Sequence, residues 1–552
     1  MRIRSLLLAC LAWGTAARVQ AQASATTVNP ASRVARAVNS NSIRAHLEFL
    51  ADDALEGRRP GTRGGDIAAK YFAAQLQRLG LEPAGDSGTY FHRVPIITLT
   101  PDPAVQVVAP AARELAYRND YVLWSMRNDT ETSAKGELVF AGYGIVAPEY
   151  QWDDYEGLDV KNKIVVTLVN DPGLRDSTIF RGPILTYYGR WTYKIEEARR
   201  QGAAGILMVH TPESATYPWT TVLSGWTGPQ VRLEESPTSL LIGGWLSQDG
   251  AARLFQEGGH DLTKLTAQAA TRGFRGVPLG VQLDTRVRSA ITRSETSNVL
   301  ARLPGQGRLA REAVLIGGHY DHLGISTPVE GDSIYNGAQD NAAGSAAVLT
   351  AAEAFVRTGA RPARSIVFVG FAAEESGLLG SQALVARPPF PLKDVAAVLN
   401  LDGMNLDGRT TDVGALGTDQ SSLGAVIRKA AAAEGLRVSL DPDALKRGYF
   451  FRSDHFPFAR AGVPGLSLQS GISFVGKPDT YARERKDEYI AERYHQPGDN
   501  VLPSFNYDGA VQQLRVIVRT AVAVANAPGQ PLWNKASEFR GAGDQRVRER
   551  RE

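Results

Sequence analysis

A short apolar run that ends in two adjacent acids constrains this chain most. Ile366 to Phe371, within SIVFVGFAAEESGLLGS, is rich in β-branched and aromatic residues and predicts a buried strand. Gly377 and Gly380 mark the turn that leaves it, and Glu374 and Glu375 lie between. Two carboxylates at a buried strand end are costly unless something cationic meets them there. In an α/β sheet the carboxyl ends of the strands are where ligands bind. Taken in isolation, the pair also fits a solvated loop or a helix N-terminus, where the dipole favours Glu.

The second half of the chain repeats this arrangement. Strand candidates are Asn298 to Leu303, Ala313 to Gly317, Ile366 to Phe371, Val395 to Leu401 and Gly465 to Leu468. Helix candidates are Ala342 to Val356, Ser422 to Glu434 and Asp508 to Val524. The alternation predicts an α/β fold, a sheet covered by helices on both faces. Metal-ligand residue types recur at the strand ends. AVLIGGHYDHLG places His319, Asp321 and His322 just past a strand, and NGAQDNAAGSAAV places Asp340 at a helix start. VLNLDGMN ends a strand in Asp402, and RYHQPGDN carries His495 in a loop before the last helix.

Each residue has a plain reading alone. Asp340 suits an N-cap, Asp402 a turn before Gly403, and His319 a donor to a carbonyl. Together, two imidazoles and three acids suit two zinc ions. Two divalent ions about 3.5–4 Å apart need a shared anion, so one carboxylate must bridge. A further acid, unbound, is then free to act as a base, which accounts for Glu374 standing next to Glu375.

The first half is organised differently. Ser42 to Leu50 and Gly65 to Leu79 read as amphipathic helices joined by the loop ADDALEGRRPGTRGG. Residues 90–126 alternate briefly and contain prolines, which suggests strands and loops. From Gly136 a strand, strand, helix, strand order follows in ELVFAGYGIVAP, NKIVVTLVNDPG, KIEEARRQGAA and GILMVH. Its dense aromatics, among them Tyr187, Tyr188, Trp191, Tyr193, Tyr217, Trp219 and Trp226, read as core. His210 and His260 stand alone in it and read as structural. The tail after Pro528 is polar and arginine-rich and is expected to be disordered.

Arg2 and Arg4, the apolar stretch Ser5 to Ala17 and the small residues at Ala21 and Ala23 form a cleavable export signal. The stretch is too short to span a bilayer. The only cysteine, Cys10, lies inside it, so a chain cut after Ala21 or Ala23 has none. Lipid attachment at Cys10 is disfavoured by the short region before it. The mature protein is then expected in the periplasm or outside the cell, resting on its core and any bound metals. A formal charge of +3 over 552 residues does not point to nucleic acid or to a membrane surface.

The segments GGHYDHLG, NGAQDNAAGSAAVL, FVGFAAEESGLLGS, LNLDGMN and RYHQPGDN, in that order, resemble the motifs of the two-zinc aminopeptidases, family 28 of the metallopeptidases. Glutamate carboxypeptidases and the transferrin receptor are relatives. The resemblance implies a mixed, mostly parallel sheet flanked by helices, with a protease-associated domain inserted at about 136–275. It divides the rest into a first part of the catalytic domain (24–135), its main part (276–527) and the tail (528–552). It assigns His319, Asp340 and Asp402 to one zinc and Asp340, Glu375 and His495 to the other, with Asp340 bridging. Glu374 matches the general base, Asp321 an acid that orients the His319 imidazole, and Tyr494 a donor to the tetrahedral intermediate. The implied substrates are peptides with a free N-terminus. Carboxypeptidase or glutaminyl cyclase chemistry on the same scaffold, or receptor-like binding without catalysis, are the alternatives. The resemblance leaves Ser453, Asp454 and His455 to shape the substrate pocket or cap a helix, and His322 to a rim or simple polar loop.

Overall fold

The computed structural model describes residues 29–235 and 238–551. The export signal expected over residues 1–23, with Cys10, lies outside the described residues. Three helices come first: α1 (Pro30–Ala37), α2 (Ser40–Leu50) and α3 (Arg63–Arg78). A long strand, β1 (Phe91–Ala109), leads into a smaller unit. That unit contains β2 (Tyr121–Ser125), β3 (Glu131–Phe140), β4 (Ile164–Leu168), α4 (Trp191–Arg200), β5 (Gly205–Val209) and β6 (Ile242–Leu246). The chain returns through β7 (Val277–Leu303). Then come β8 (Ala313–His319), α5 (Ala343–Arg357), β9 (Ser365–Phe371), β10 (Val395–Leu401), β11 (Asp412–Leu416) and β12 (Gly465–Gln469). Helices α6 (Asp508–Asn526) and α7 (Arg540–Arg551) follow.

One mixed, largely parallel sheet with helices on both sides runs through the molecule. Its order is β11, β12, β10, β8, β9, β7, β3, β4, β5, β6, β2, with Arg437–Ser439 beyond β11. β8, β9, β10 and β12 are mutually parallel, so their carboxyl ends reach one edge. β7 runs antiparallel to β9 on one side and β11 antiparallel to β12 on the other. The central strands are buried on both faces, which is why they read as unbroken apolar runs. α5, rich in alanine, and α6 lie in the same apolar core.

β1 and β7 pair antiparallel from Phe91↔Val299 to Ala109↔Gln282 and so tie the two units together. Residues 91–109 are thus one strand despite Pro95, Pro101 and Pro103. The three prolines share one parity. The Pro95 carbonyl accepts from the Glu234 N–H, on the side away from β7, so their missing N–H groups leave the main ladder intact. The apolar core of the smaller unit also takes in Val105, Val107, Leu115, Tyr121 and Leu123, all before residue 136. Its Trp152, Tyr155, Tyr193 and Trp245 are buried core, and buried His210 faces the Tyr217 carbonyl through Nε2 at 3.0 Å.

The tail corrects the expectation of disorder. Trp533 is buried and donates to the Gly462 carbonyl at 3.0 Å. Phe539 joins Phe450, Phe456 and Tyr187 in one aromatic cluster. Buried Arg546 on α7 spends its guanidinium on the carbonyls of Gly462 and Val395 and on Gln530. Composition hides this, because the arginine that looks solvated is satisfied by main-chain oxygens. Among the described residues no helix is long and apolar enough to cross a membrane.

Candidate active site

Parallel strands deliver the ligand-type residues to one place. β8 ends in His319, β9 runs through Ala372 and Ala373 into Glu374 and Glu375, and β10 is followed by Asp402. Asp340 sits just ahead of α5, and His495 comes from the loop before α6. Asn341 locks these segments together. Its amide donates to the carbonyls of Leu401 (2.9 Å) and His319 (3.3 Å), and its oxygen accepts from the N–H groups of Gly344 (2.9 Å) and Gly403 (2.8 Å). Gly344 is required there, since a Cβ would stand 2.1 Å from the Asn341 oxygen.

Asp340 occupies the centre. Its Oδ1 lies 3.3 Å from His319 Nε2 and its Oδ2 3.2 Å from His495 Nε2. Asp402 Oδ1 lies 3.3 Å from His319 Nε2, and Glu375 Oε2 lies 3.1 Å from His495 Nε2. Ligands bound at about 2.0–2.2 Å in a tetrahedron stand roughly 3.3–3.5 Å apart, so these spacings fit the edges of a zinc-type coordination shell. His495 Nε2 is buried and has no hydrogen-bond partner, although two carboxylate oxygens face it. His319 Nδ1 faces the Asp321 carbonyl at 3.2 Å, which leaves Nε2 turned toward the acids. A divalent cation on each side of Asp340 would satisfy these groups.

The two neighbouring glutamates are held in opposite states by the protein's own groups. Burial, with Asp402, Glu375 and Asp454 close by, pushes the Glu374 carboxyl well above the usual range. Burial also acts on Glu375, but His495, His322 and hydrogen bonding overcome it and hold its carboxyl at about 2. The two adjacent carboxyls are thus shifted in opposite directions.

Asp321 reaches His319 differently from the expected carboxylate–imidazole contact. The imidazole meets its backbone carbonyl, and the carboxylate is 3.8 Å away. That carboxylate instead accepts from the N–H groups of Glu374 (3.1 Å) and Glu375 (3.4 Å) and so fixes the turn after β9. Tyr494 stacks on His495 with ring centroids 3.9 Å apart and is 45% exposed, so it stands at the open side of the centre.

His322 is not at a rim. It is wholly buried, and its Nδ1 lies 2.7 Å from Glu375 Oε1, the oxygen that His495 does not face. Its ring packs against Gly337, where φ is 56° and a Cβ would come within 2.5 Å of the imidazole. The HYDH spacing was the available signal: one imidazole lies on β8 and the second three residues on, past the strand. Asp499 and Arg58 also went unread as site residues. Asp499 accepts from the N–H groups of Gln339 and Asp340 at 3.0–3.2 Å. Buried Arg58 donates to the carbonyls of Tyr320 (2.7 Å), Asn336 (2.5 Å) and Gly337 (3.0 Å), tying the loops after β8 and before α5 to the amino-terminal segment. His455 is buried against Phe450, and Asp454 holds the N-cap position of the helix His455–Arg460 without a side-chain capping bond. Asp454 accepts from Ser381 Oγ at 2.6 Å.

The profile of peptidase family M28 matches residues 298–519, the stretch that carries every one of these strand-end residues. Residues 298–519 are an M28 peptidase domain. Among curated proteins the chain is similar to leucine aminopeptidase 1 of Grosmannia clavigera, 28% identical over 254 residues, covering 44% of this chain and 56% of the relative. It is also similar to a probable zinc metalloprotease of Pyrenophora tritici-repentis, 28% identical over 250 residues, covering 39% and 54%. The chain thus spans about half the length of the curated relatives it matches. Among solved structures it resembles the aminopeptidase from Aneurinibacillus sp. strain AM-1 at 18% identity and a TM-score of 0.46, covering 91% of this chain and 97% of that one. A zinc aminopeptidase from Bacillus subtilis is similar at 18% identity and a TM-score of 0.44, covering 91% and 99%. Outside the M28 domain, α2, α3 and Arg58 brace it from the amino-terminal side.

Proposed function

We propose that this protein is an exported zinc aminopeptidase that removes N-terminal residues from peptides. The observation that carries the reading is Asp340, whose two oxygens face two imidazoles, each completed by one further carboxylate. His319, Asp340 and Asp402 would hold one zinc ion, and Asp340, Glu375 and His495 the other. When bound, such ions acidify a water molecule and polarise the scissile carbonyl. Glu374 takes the proton of the attacking water and later gives it to the leaving amine. Its burial among acids supports that role, because it raises the carboxylate's affinity for a proton. Tyr494, open to the cleft and stacked on His495, donates to the oxygen of the tetrahedral adduct. Asp321 and Asp499 hold the main chain that presents Glu374, Glu375 and Asp340. The signal-like residues 1–23 support export, and the unit entered after β1 fits a protease-associated domain.

The deciding experiment compares leucyl peptides with free and acetylated amino termini, supplied with zinc. Hydrolysis of the free peptide alone is expected. Equal cleavage of both, or cleavage from the carboxyl end, contradicts an aminopeptidase.

His322→Ala removes the group that holds Glu375 Oε1 and is expected to weaken metal binding about 10–100-fold. Competition with a fluorescent zinc indicator measures it. Unchanged affinity would show that Glu375 needs no such support.

A further inference from the structure

The open side of the metal centre is flanked by apolar side chains that the fold leaves uncovered. Among the described residues eight large apolar side chains are exposed, and six of them fall in two segments joined to the centre. Ile325 and Val329 stand on a hairpin of the strands Gly324–Val329 and Asp332–Tyr335, which begins two residues after His322. Ile472, Val475, Ile490 and Tyr494 lie between β12 and His495. The two segments set out from one point, because the His322 and His495 rings are 5.7 Å apart between centroids. Ile325 is three residues beyond His322, so the chain holds it within about 11 Å. Tyr494 stacks on His495 itself.

The hairpin is anchored at its base and open beyond it. A Cβ on Gly57 would come within 2.5 Å of the Tyr335 carbonyl oxygen and 2.7 Å of the Gly324 carbonyl oxygen, so the amino-terminal turn packs tightly there. Asn336 donates to the Ala51 carbonyl at 2.8 Å and to Asp53 at 2.7 Å. Past the base, every residue from Ile325 to Asp332 is exposed, and among the described strands these two pair only with each other. On the other segment, the helix Tyr481–Glu492 has no buried residue. Apolar side chains grouped in this way on a surface mark a binding face. Side chains 42–57% exposed do not enclose a single residue as a closed pocket does, but they can line an open trough. Gly324 to Val329 spans about 17 Å, which matches roughly five residues of extended peptide.

We infer that the hairpin and the segment from Ile472 to Tyr494 form an open trough for the part of the peptide that follows the scissile bond, and that the substrates are oligopeptides with apolar side chains there. This rests on the aminopeptidase reading above, since a peptide cut at its first residue sends its remainder out through the open side. Binding of those remote residues can then be used at the reacting bond.

Initial leucine release from Leu-Gly-Val-Val amide and Leu-Gly-Ser-Ser amide tests it, because the scissile bond is the same in both. The valine peptide is expected to have a kcat/KM higher by about tenfold or more, the effect of burying an apolar side chain. Ile325→Ser and Val475→Ser should each lower that ratio with little change in melting temperature, since both side chains are exposed. Equal rates for the two peptides in the parent, or a ratio unchanged in either variant, would overturn the inference and leave the peptidase reading standing. An equal loss on both peptides with a lower melting temperature would mark a structural role and overturn it too. So would a parent that sediments as a dimer and an Ile325→Ser variant that sediments as a monomer with the ratio intact, because the apolar face would then cover a second copy. If the zinc-loaded protein releases leucine from neither peptide, the peptidase reading fails and the trough fails with it.

Discussion

Glu374→Gln is expected to lower kcat by about 10²–10⁴-fold, the usual contribution of a positioned general base. Zinc content should not change. The amide is nearly isosteric and keeps the turn after β9, because Asp321 holds that turn through the N–H groups of residues 374 and 375 rather than through the side chain. The carboxylates within 3.3 Å of the His319 and His495 imidazoles are Asp340, Asp402 and Glu375, and Glu374 stands farther from His319, within 4.8 Å. KM should move little compared with kcat, since the lost interaction belongs to the transition state. Metal analysis alongside single-turnover kinetics checks both halves. Near-normal turnover would remove Glu374 from the mechanism, and loss of zinc would make it a ligand.

Chelation is expected to abolish hydrolysis and also to lower the melting temperature. Asp340, Glu374, Glu375, Asp402, Asp321, Asp454 and Asp499 crowd the carboxyl ends of four parallel strands. Buried Arg58 faces this group and is pushed down to about 10 by burial despite the acids around it. Arg58 and the His319 and His495 imidazoles offset only part of this charge, and divalent cations would offset more. A ligand that binds the folded state alone stabilises it by about 4 kcal/mol at a thousand times its dissociation constant. Two such ions would therefore be a substantial part of the stability of the M28 domain. Calorimetry with and without chelator measures this, and zinc should restore both activity and melting temperature. Loss of activity with no change in melting would mean that the acids are accommodated without metal.

Much of the M28 domain was legible in the sequence because buried parallel strands leave unbroken apolar runs. Asn298–Leu303 and Val395–Leu401 show this, and the residue types at strand ends are rare enough to stand out. The long ribbon was less legible. β7 alternates over 27 residues with polar residues on one face, and β1 carries three prolines whose parity matters only once the partner strand is known. The alternation of Leu279, Val281, Leu283 and Val287 was nonetheless there to be read. His322 and Asp499 were missed for a different reason. Their partners, Glu375 and the Asp340 main chain, lie 53 and 159 residues away, so the HYDH spacing was the one local sign for His322 and Asp499 had none. The tail misled because charge-rich composition says nothing about which guanidinium finds carbonyls in a groove, as Arg546 does.

The central claim is that the Asp340 carboxylate joins two metal ions while Glu374 stays free. A zinc-edge anomalous difference map of the protein crystallised with zinc tests it most directly. Two peaks are predicted, one against His319, Asp340 and Asp402 and the other against Asp340, Glu375 and His495, with the Glu374 carboxyl bound to neither. A single peak at saturating zinc, or a peak ligated by Glu374, would contradict it.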